Sequence, residues 1–435
     1  MKIRSILIVA ALLMAGTLSA QNFSLEECVE IALQNNRTIK QQELNKAQRE
    51  IAYSQARSDL LPNLNASAGQ SFVFGRSIGL DNVYQNTNSS QPSFGVNASV
   101  TIFDGLRMKY NIDARRAELS AANADLEKFR DDIEMSVTTA FLQVLLQKEL
   151  LRIADEQIEL TEVNIRQRGE LISSGKMAKG EIYELEAQHA REIQNKVQAE
   201  SNLKLALLDL AQIMELDDFS TFDVISMEVP DEIDNSSIMF STEQVWQSAI
   251  MVRPEVAAAQ YRLEGNEKAV KIARSQLYPT LSFGANMGTG YYNMGGRSND
   301  SFANQIRNNI SNSLGFSLQI PIFNKFQTRN NIRTAQIAVM SSQIESDNVK
   351  IELRKRIEQA YQNAVGAESK WQAARKSEIS GEEAYRFAQE KFDNGRANAY
   401  ELYQAKNNLT QILSDVAQAK FEYAFRLKIL ELLRN

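Results

Sequence analysis

Between residues 105 and 172, and again between 325 and 393, the chain carries no proline, almost no glycine and dense charge. Nothing in either stretch stops a helix, and at 1.5 Å per residue each would extend for about 100 Å. A compact domain has no use for such an element. The apolar residues keep a heptad: Ile133, Val137, Ala140, Val144, Leu151, Ala154 and Ile158 step by four and three, with Gln147 in the remaining slot. Adding 220 to the numbers from 133 to 154 gives Leu353, Ile357, Ala360, Ala364, Ala367, Trp371 and Ala374. The register is duplicated, which predicts that both long helices pack in the same way through alanine-rich seams that permit close approach. A sustained heptad by itself reads as an intracellular coiled coil, and the rest of the chain argues against that.

Residues 1–20, MKIRSILIVAALLMAGTLSA, have basic Lys2 and Arg4, an apolar run from Ile6 to Ala15, and Ser19-Ala20 before Gln21. This is the pattern of a secretory signal peptide, with an apolar run too short to span a bilayer as a helix. Losing Lys2 and Arg4 leaves 46 basic against 54 acidic residues. A charge of −8 argues against nucleic acid as a partner. Cys28, the single cysteine, reads as a small apolar residue of the first helix.

The chain is written twice. Leu61-Pro62-Asn63-Leu64 answers to Tyr278-Pro279-Thr280-Leu281, and Ser24-Leu25-Glu26 to Ser241-Thr242-Glu243, both at an offset of 217. Ile102-Phe103-Asp104 answers to Ile322-Phe323-Asn324 at 220, and so does the turn Ser174-Gly175-Lys176 to Asn394-Gly395-Arg396. The boundaries that follow are a first repeat over 21–215 and a second over 242–435, joined by a linker at 216–241. Each repeat opens with helical stretches, 24–60 and 242–277, that end before a proline. Two strands come next, at about 63–75 and 92–103 in the first repeat and 280–292 and 312–323 in the second. The long helices 105–172 and 325–393 follow, then shorter ones at 178–215 and 397–434.

The strands alternate with period two. Leu314, Phe316, Leu318, Ile320 and Ile322 point one way and Gly315, Ser317, Gln319 and Pro321 the other; Phe94, Val96, Ala98, Val100 and Ile102 do the same against Gly95, Asn97, Ser99 and Thr101. About ten residues with an apolar outer face is the length of a tilted barrel strand in a bilayer. Four strands cannot close a barrel, and an open edge in lipid leaves backbone groups unpaired. Several chains must therefore pool strands, eight for a dimer or twelve for a trimer. A soluble sandwich would need a second sheet over the apolar face, and no other segment supplies one. The polar loops 76–91 and 293–311 belong at the outer end, and the two glycine turns at the far tips of the helices.

In the order and repetition of these motifs the chain resembles the TolC-type outer membrane efflux proteins. The resemblance covers essentially the whole mature chain: duplicated halves, Leu61-Pro62 and Tyr278-Pro279 at strand entry, Ile102-Phe103-Asp104-Gly105 and Ile320-Pro321-Ile322-Phe323 at strand exit, and the two tip turns. It implies an α+β membrane protein, a trimer with a 12-stranded transmembrane barrel continued by an α-helical periplasmic tunnel. It also implies the outer membrane of a Gram-negative bacterium as location. The implied partners are a periplasmic adaptor and an inner-membrane pump or ABC transporter of a multidrug efflux or type I secretion system. A trimeric stalk or adhesin-like protein without transport is the competing reading; the small, polar inner strand face favours an open lumen.

The same resemblance places pore-constricting acids six residues after each tip glycine, at Glu181 and Glu401; three further on stand Glu184 and Gln404, the latter in place of an acid, which weakens the second ring. It places Phe392 where relatives have a tyrosine and Ala397 where they have an arginine, with Arg396 displaced by one. The tip turns Ser174, Gly175, Lys176 and Asn394, Gly395, Arg396 are the expected adaptor contacts. Metal-spaced ligands, phosphate-cradling glycine loops and paired catalytic residues do not occur in the sequence, so no enzyme activity, metal or cofactor is expected.

Overall fold

The computed structural model describes residues 21–78, 83–86, 88–174, 180–216, 222–225, 241–294, 298 and 300–434. The signal segment 1–20 and most of the 216–241 linker lie outside these. In chain order the elements are β1 (Gln21–Phe23), α1 (Leu25–Asn35), α2 (Arg37–Ser58), β2 (Asn63–Val73), β3 (Arg76–Ile78), β4 (Tyr84–Asn86), β5 (Ser89–Phe103), α3 (Arg107–Ser173), α4 (Gly180–Ile213) and β6 (Phe222–Val224). They continue with α5 (Thr242–Val252), α6 (Pro254–Ser275), β7 (Thr280–Gly290), β8 (Asn293–Met294), α7 (Phe302–Asn308), β9 (Ser311–Gln319), α8 (Gln327–Asp393) and α9 (Ala399–Arg434). Two compact units are made from them. One comprises Met1–Glu43, Asp125–Val256 and Val349–Asn435; the other comprises Leu44–Ala124 and Ala257–Asn348.

The second unit holds the sheet. Its strands lie in the order β2-β5-β7-β9, antiparallel throughout, with β8 adding to β5. Pairing β5 with β7 joins the two halves of the chain, Val100 opposite Phe283 and Ser99 opposite Gly284. The outer strands β2 and β9 each have one unpaired edge. Leu314, Phe316 and Leu318 on β9 are 75%, 72% and 60% exposed, and Leu64 and Phe72 on β2 are equally bare. At about 2 kcal/mol per large apolar side chain, leaving such a face in water would cost an amount comparable to the whole stability of a domain. No described helix is long and apolar enough to cross a membrane; the bare apolar face belongs to the sheet.

Strand ends depart from the sequence expectation where backbone chemistry intervenes. The last strand, expected over 312–323, stops at Gln319 because Pro321 has no amide to continue the ladder. The long helices begin at Arg107 and Gln327, two residues later than expected, because Gly105 and Leu106 (φ 68° and 67°) and Lys325 and Phe326 (φ 56° and 63°) are left-handed. A Cβ on Gly105 would lie 2.8 Å from the Ser275 carbonyl oxygen and 2.9 Å from Tyr278 Cβ. This is a turn that only glycine fits. Among the described residues of the loops, β3 and β4 pair within the first, and α7 sits in the second, where Gln305 brackets Tyr292 by accepting from its amide (2.9 Å) and donating to its carbonyl (3.1 Å).

In the first unit each helical entry is split in two. Ser24 and Glu27 form a capping box on α1, and Ser241 and Gln244 form its counterpart on α5. The breaks fall at Asn36, whose carboxamide oxygen accepts from the Thr38 amide (2.9 Å), and at Arg253 before Pro254, the first residue of α6. The core packs Cys28 and Ala32 against Val137, Phe141, Leu145, Leu210 and Met214, closed by the short parallel pair β1·β6. Burial pushes the Cys28 thiol up to about 12, so it stays protonated and inert.

The heptad seams do not match as their sequences do. On α8, Leu353, Ile357, Ala360, Ala364, Ala367 and Trp371 are all buried in register, Trp371 stacked on Tyr423 with centroids 5.6 Å apart. On α3 the register holds at Val137 and Val144, but Leu151, Ala154 and Ile158 are only half-buried. The buried line instead runs through Ile153, Gln157, Thr161, Asn164 and Arg168. The expectation that both long helices pack alike is corrected here: a polar cluster captures α3 and rotates its buried face.

Two glycines make opposite predictions. Gly105→Ala should destabilise the protein by about 2 kcal/mol, from left-handed strain and collision with backbone. Gly366→Ala, in the interior of α8 with open space at its Cβ position, should stabilise it by about 0.5–1 kcal/mol. Denaturant titrations of the detergent-solubilised protein check both.

Candidate functional site

The helix ends of the first unit carry the turn that recurs in the sequence. In the second copy the turn closes α8 with Gly395 (φ 70°): its amide donates to the Phe392 carbonyl (3.0 Å), and the Arg396 amide to that of Lys391 (2.7 Å). This paired pattern satisfies the last carbonyls of α8 and requires a residue free to adopt positive φ. Asn394 adds a bond from its carboxamide to the Glu390 carbonyl (2.7 Å), and Asn398 caps α9 by accepting from the Glu401 amide (2.9 Å). Asn394, Gly395 and Arg396 are exposed. In the first copy Ser174 follows the last residue of α3, with its hydroxyl donating to the Leu171 carbonyl (3.0 Å). Gly175 and Lys176 lie outside the described residues.

Glu181 is a helical residue of α4. Glu184 and Gln404 line one groove of about 480 Å³ together with Tyr183, Tyr400, Tyr403 and Asn407. Glu184, Glu401 and Gln404 are exposed. Phe392 sits elsewhere, in a small core with Leu185, Leu402 and Tyr403. The structure therefore brings Glu184 and Gln404 together and places Phe392 inside the packing.

Arg168 covers Phe392. Its guanidinium carbon lies 4.0 Å from the ring centroid, and Nη2 donates to Asp393 Oδ1 at 2.9 Å. Arg168 is almost fully buried while Asp393 remains half in water. A desolvated guanidinium on an aromatic face contributes about 2 kcal/mol, more than an exposed ion pair. Ala397, where the resemblance puts an arginine, packs half-buried against this core. The arginine at this tip comes from α3 instead.

About two turns along α3 toward its start lies Lys406. It is 2% exposed and donates to the Gln157 carbonyl (2.7 Å), the Thr161 hydroxyl and Glu192 Oε1 (2.9 Å). Gln188 donates to the same Glu192 oxygen (3.0 Å) and to Asn407 (2.9 Å). Helices α3, α4 and α9 thus meet on one ammonium. Burial lowers the Lys406 pKa, with the Glu192 bond opposing the shift. Apolar periodicity does not reveal this cluster, because a buried polar stripe reads as a solvated face. The available signal was the spacing of Gln157, Thr161, Asn164 and Arg168 by four, three and four, a helix stripe with no apolar member.

A long helical pair with a polar lock near its turn and a four-stranded, lipid-suited sheet is a specific combination, and the comparisons agree with it. The outer membrane efflux protein family model matches residues 28–214 and 245–432. This chain belongs to that family. The efflux protein BepC of Brucella suis biovar 1 (strain 1330) is 20% identical over 96% of this chain and 87% of its own. The proteases secretion protein PrtF of Dickeya chrysanthemi is 21% identical over 95% and 89%. The solved outer membrane protein VceC of Vibrio cholerae superposes with a TM-score of 0.78 at 13% identity, over 94% of this chain and 96% of that one. The efflux family chain is thus an outer membrane protein with the fold of helical-tunnel and barrel channels.

Breaking the lysine lock by halves should cost more than removing it. Lys406→Met strands the Glu192 carboxylate in the core and should destabilise by about 3 kcal/mol. Lys406→Met with Glu192→Leu should recover most of that loss. Equal destabilisation of single and double variants in chemical denaturation contradicts the assignment.

Proposed function

We propose that three copies of this chain form a passive exit duct through the outer membrane. The duct takes substrate from a periplasmic adaptor and an inner-membrane pump or ABC transporter and releases it outside. The observation that carries this is the sheet: an exposed apolar face, an opposite face of Ser67, Gly69, Asn97, Ser99, Gly284, Asn286, Gly315 and Ser317, and two unpaired edges. Twelve strands from three copies close into a barrel with apolar outside and small polar groups within, which leaves room for water. Matching of the family model to two successive segments supports reading the halves as repeats of one unit. Relatives named for efflux and for protease secretion stand at similar identity. Cargo choice therefore falls to the pump.

The helices project into the periplasm, and their tips form the gate. Ser174, Gly175 and Lys176 with Asn394, Gly395 and Arg396 receive the adaptor. Glu181, Glu184, Glu401 and Gln404 line the constriction, where carboxylates favour cations. Phe392 acts from within, as the plate on which Arg168 is held, and Lys406 anchors the same helices behind it. Opening the tip requires these helices to part, so the Arg168 and Lys406 contacts oppose opening.

Planar-bilayer recording of the purified assembly tests this. Wild type should show a small, cation-preferring current, Arg168→Ala a larger one, and Glu181→Gln with Glu184→Gln and Glu401→Gln a weaker cation preference. Absence of single-channel current from wild type and all variants excludes the duct. Unchanged selectivity removes the glutamates from the constriction.

A further inference from the structure

One pair of neighbours at the end of α8 carries a reaction that neither the fold nor the proposed duct uses. Asn394-Gly395 is the single Asn-Gly step of the sequence. In such a step the main-chain nitrogen of glycine can attack the carboxamide carbon of asparagine, because no Cβ on the following residue obstructs the approach. The new N–C bond closes a five-membered succinimide, the bond from the carboxamide carbon to its own nitrogen breaks, and ammonia leaves. Water then opens the ring at either carbonyl. One opening gives aspartate, and the other gives isoaspartate, with the main chain rerouted through the side chain. Water is the only co-reactant in this balance.

Asn394 and Gly395 are exposed, and a Cβ built on Gly395 would meet nothing within 4 Å, so the ring has room to form. The related Asp104-Gly105 step could close the same ring with loss of water, but Asp104 is buried and a Cβ on Gly105 would collide with the Ser275 carbonyl. In the first copy of the tip turn Ser174 stands at the matching position. A hydroxyl cannot be deamidated, and the chemistry is confined to the second turn.

The turn itself holds both reacting groups. The Gly395 amide, a nucleophile once it loses its proton, donates to the Phe392 carbonyl (3.0 Å). The Asn394 carboxamide is drawn back along α8 by donating to the Glu390 carbonyl (2.7 Å). Attack needs the amide proton gone and the carboxamide swung onto the Gly395 nitrogen, so both bonds have to break first. The rate is then set by how often the turn opens. That opening is coupled to the neighbouring arginine, because Phe392 carries the Arg168 guanidinium at 4.0 Å from its ring centroid and Asp393 accepts from Arg168 Nη2 at 2.9 Å.

We propose that Asn394 is a spontaneous deamidation site, held off while the tip turn is closed and released when that turn opens. The product does not return to the starting turn. Aspartate at 394 cannot donate to Glu390, and its carboxylate joins Asp393 and Glu390 at the negative end of the α8 dipole. Isoaspartate adds a methylene to the main chain and carries the Gly395 and Arg396 amides away from the Phe392 and Lys391 carbonyls that they satisfy. Either product loosens the end of α8 beneath the Arg168 stack. On the gate reading proposed above, on which this consequence rests, each opening exposes the step and each modified copy reopens more easily. The tip ages toward its open state.

Peptide mapping by mass spectrometry of the full-length protein, incubated in mildly alkaline buffer, tests the site. Folded wild type should slowly accumulate aspartate and isoaspartate at 394; as much isoaspartate at Asp104 overturns open space as the cause. The urea-unfolded chain should react about a hundredfold faster, and folded Arg168→Ala about tenfold faster than folded wild type. An unmodified Asn394 in the unfolded chain overturns the site. Equal rates in folded and unfolded protein overturn protection by the turn, and a rate unchanged in Arg168→Ala overturns the coupling. In planar bilayers Asn394→Asp should open more often than Asn394→Ser, which copies the first turn; equal opening overturns the ageing of the gate. If no variant carries current, the duct falls while the mass readout still decides the modification.

Discussion

Unpaired backbone amides on β2 and β9 dominate the design of this protein. In hydrocarbon each orphaned N–H or C=O costs several kcal/mol, far more than any one side-chain contact in the chain contributes. The sheet's apolar face demands lipid, and its edges forbid lipid unless they are paired. Strand order, the placement of both entry prolines and the left-handed turns at strand exit all serve to deliver four strands, in register, to one sheet. The outward residues on β9 are large and those on β2 include Ala66 and Ala68.

A second theme is the unequal treatment of two related helices. Along α8 the seam is alanine and tryptophan, buried as a heptad predicts. Along α3 the same heptad gives way to a buried polar stripe once Lys406 and Glu192 enter between the helices. An alanine seam tolerates sliding, because neighbouring positions are nearly alike. An ammonium bonded to Gln157, Thr161 and Glu192 has one correct position and fixes the relative height of three helices, a use of buried polarity best attested for setting register. The Arg168–Phe392 stack repeats the device beside the turn.

Much of this architecture was legible in the sequence. Helix length, strand alternation, the entry prolines and the glycine turn at 395 all leave local signals, and the observed elements lie close to the expected ones. Legibility failed where a residue's environment comes from elsewhere in the chain. Lys406 looks like one more charged residue on a long helix; only the third helix that meets it makes it a core residue. Phe392 stands at a pore position by resemblance, whereas Arg168, 224 residues away in sequence and not marked by any motif, takes it into the packing. The end of β9 is set by Pro321, whose missing amide overrides an alternation that runs on to Ile322.

Pairing of β5 with β7 also sets the order in which the molecule can come into being. β2 and β5 are near neighbours in sequence and can meet early, but β5 finds its other partner only when the second half of the chain is present. Contacts of such long sequence separation form slowly, since chain entropy must be lost before any ladder bond is gained. Until then β5 presents a bare edge and a greasy face in an aqueous compartment, the conditions under which chains aggregate. A chain of this topology is therefore exposed to aggregation for as long as its second half is missing.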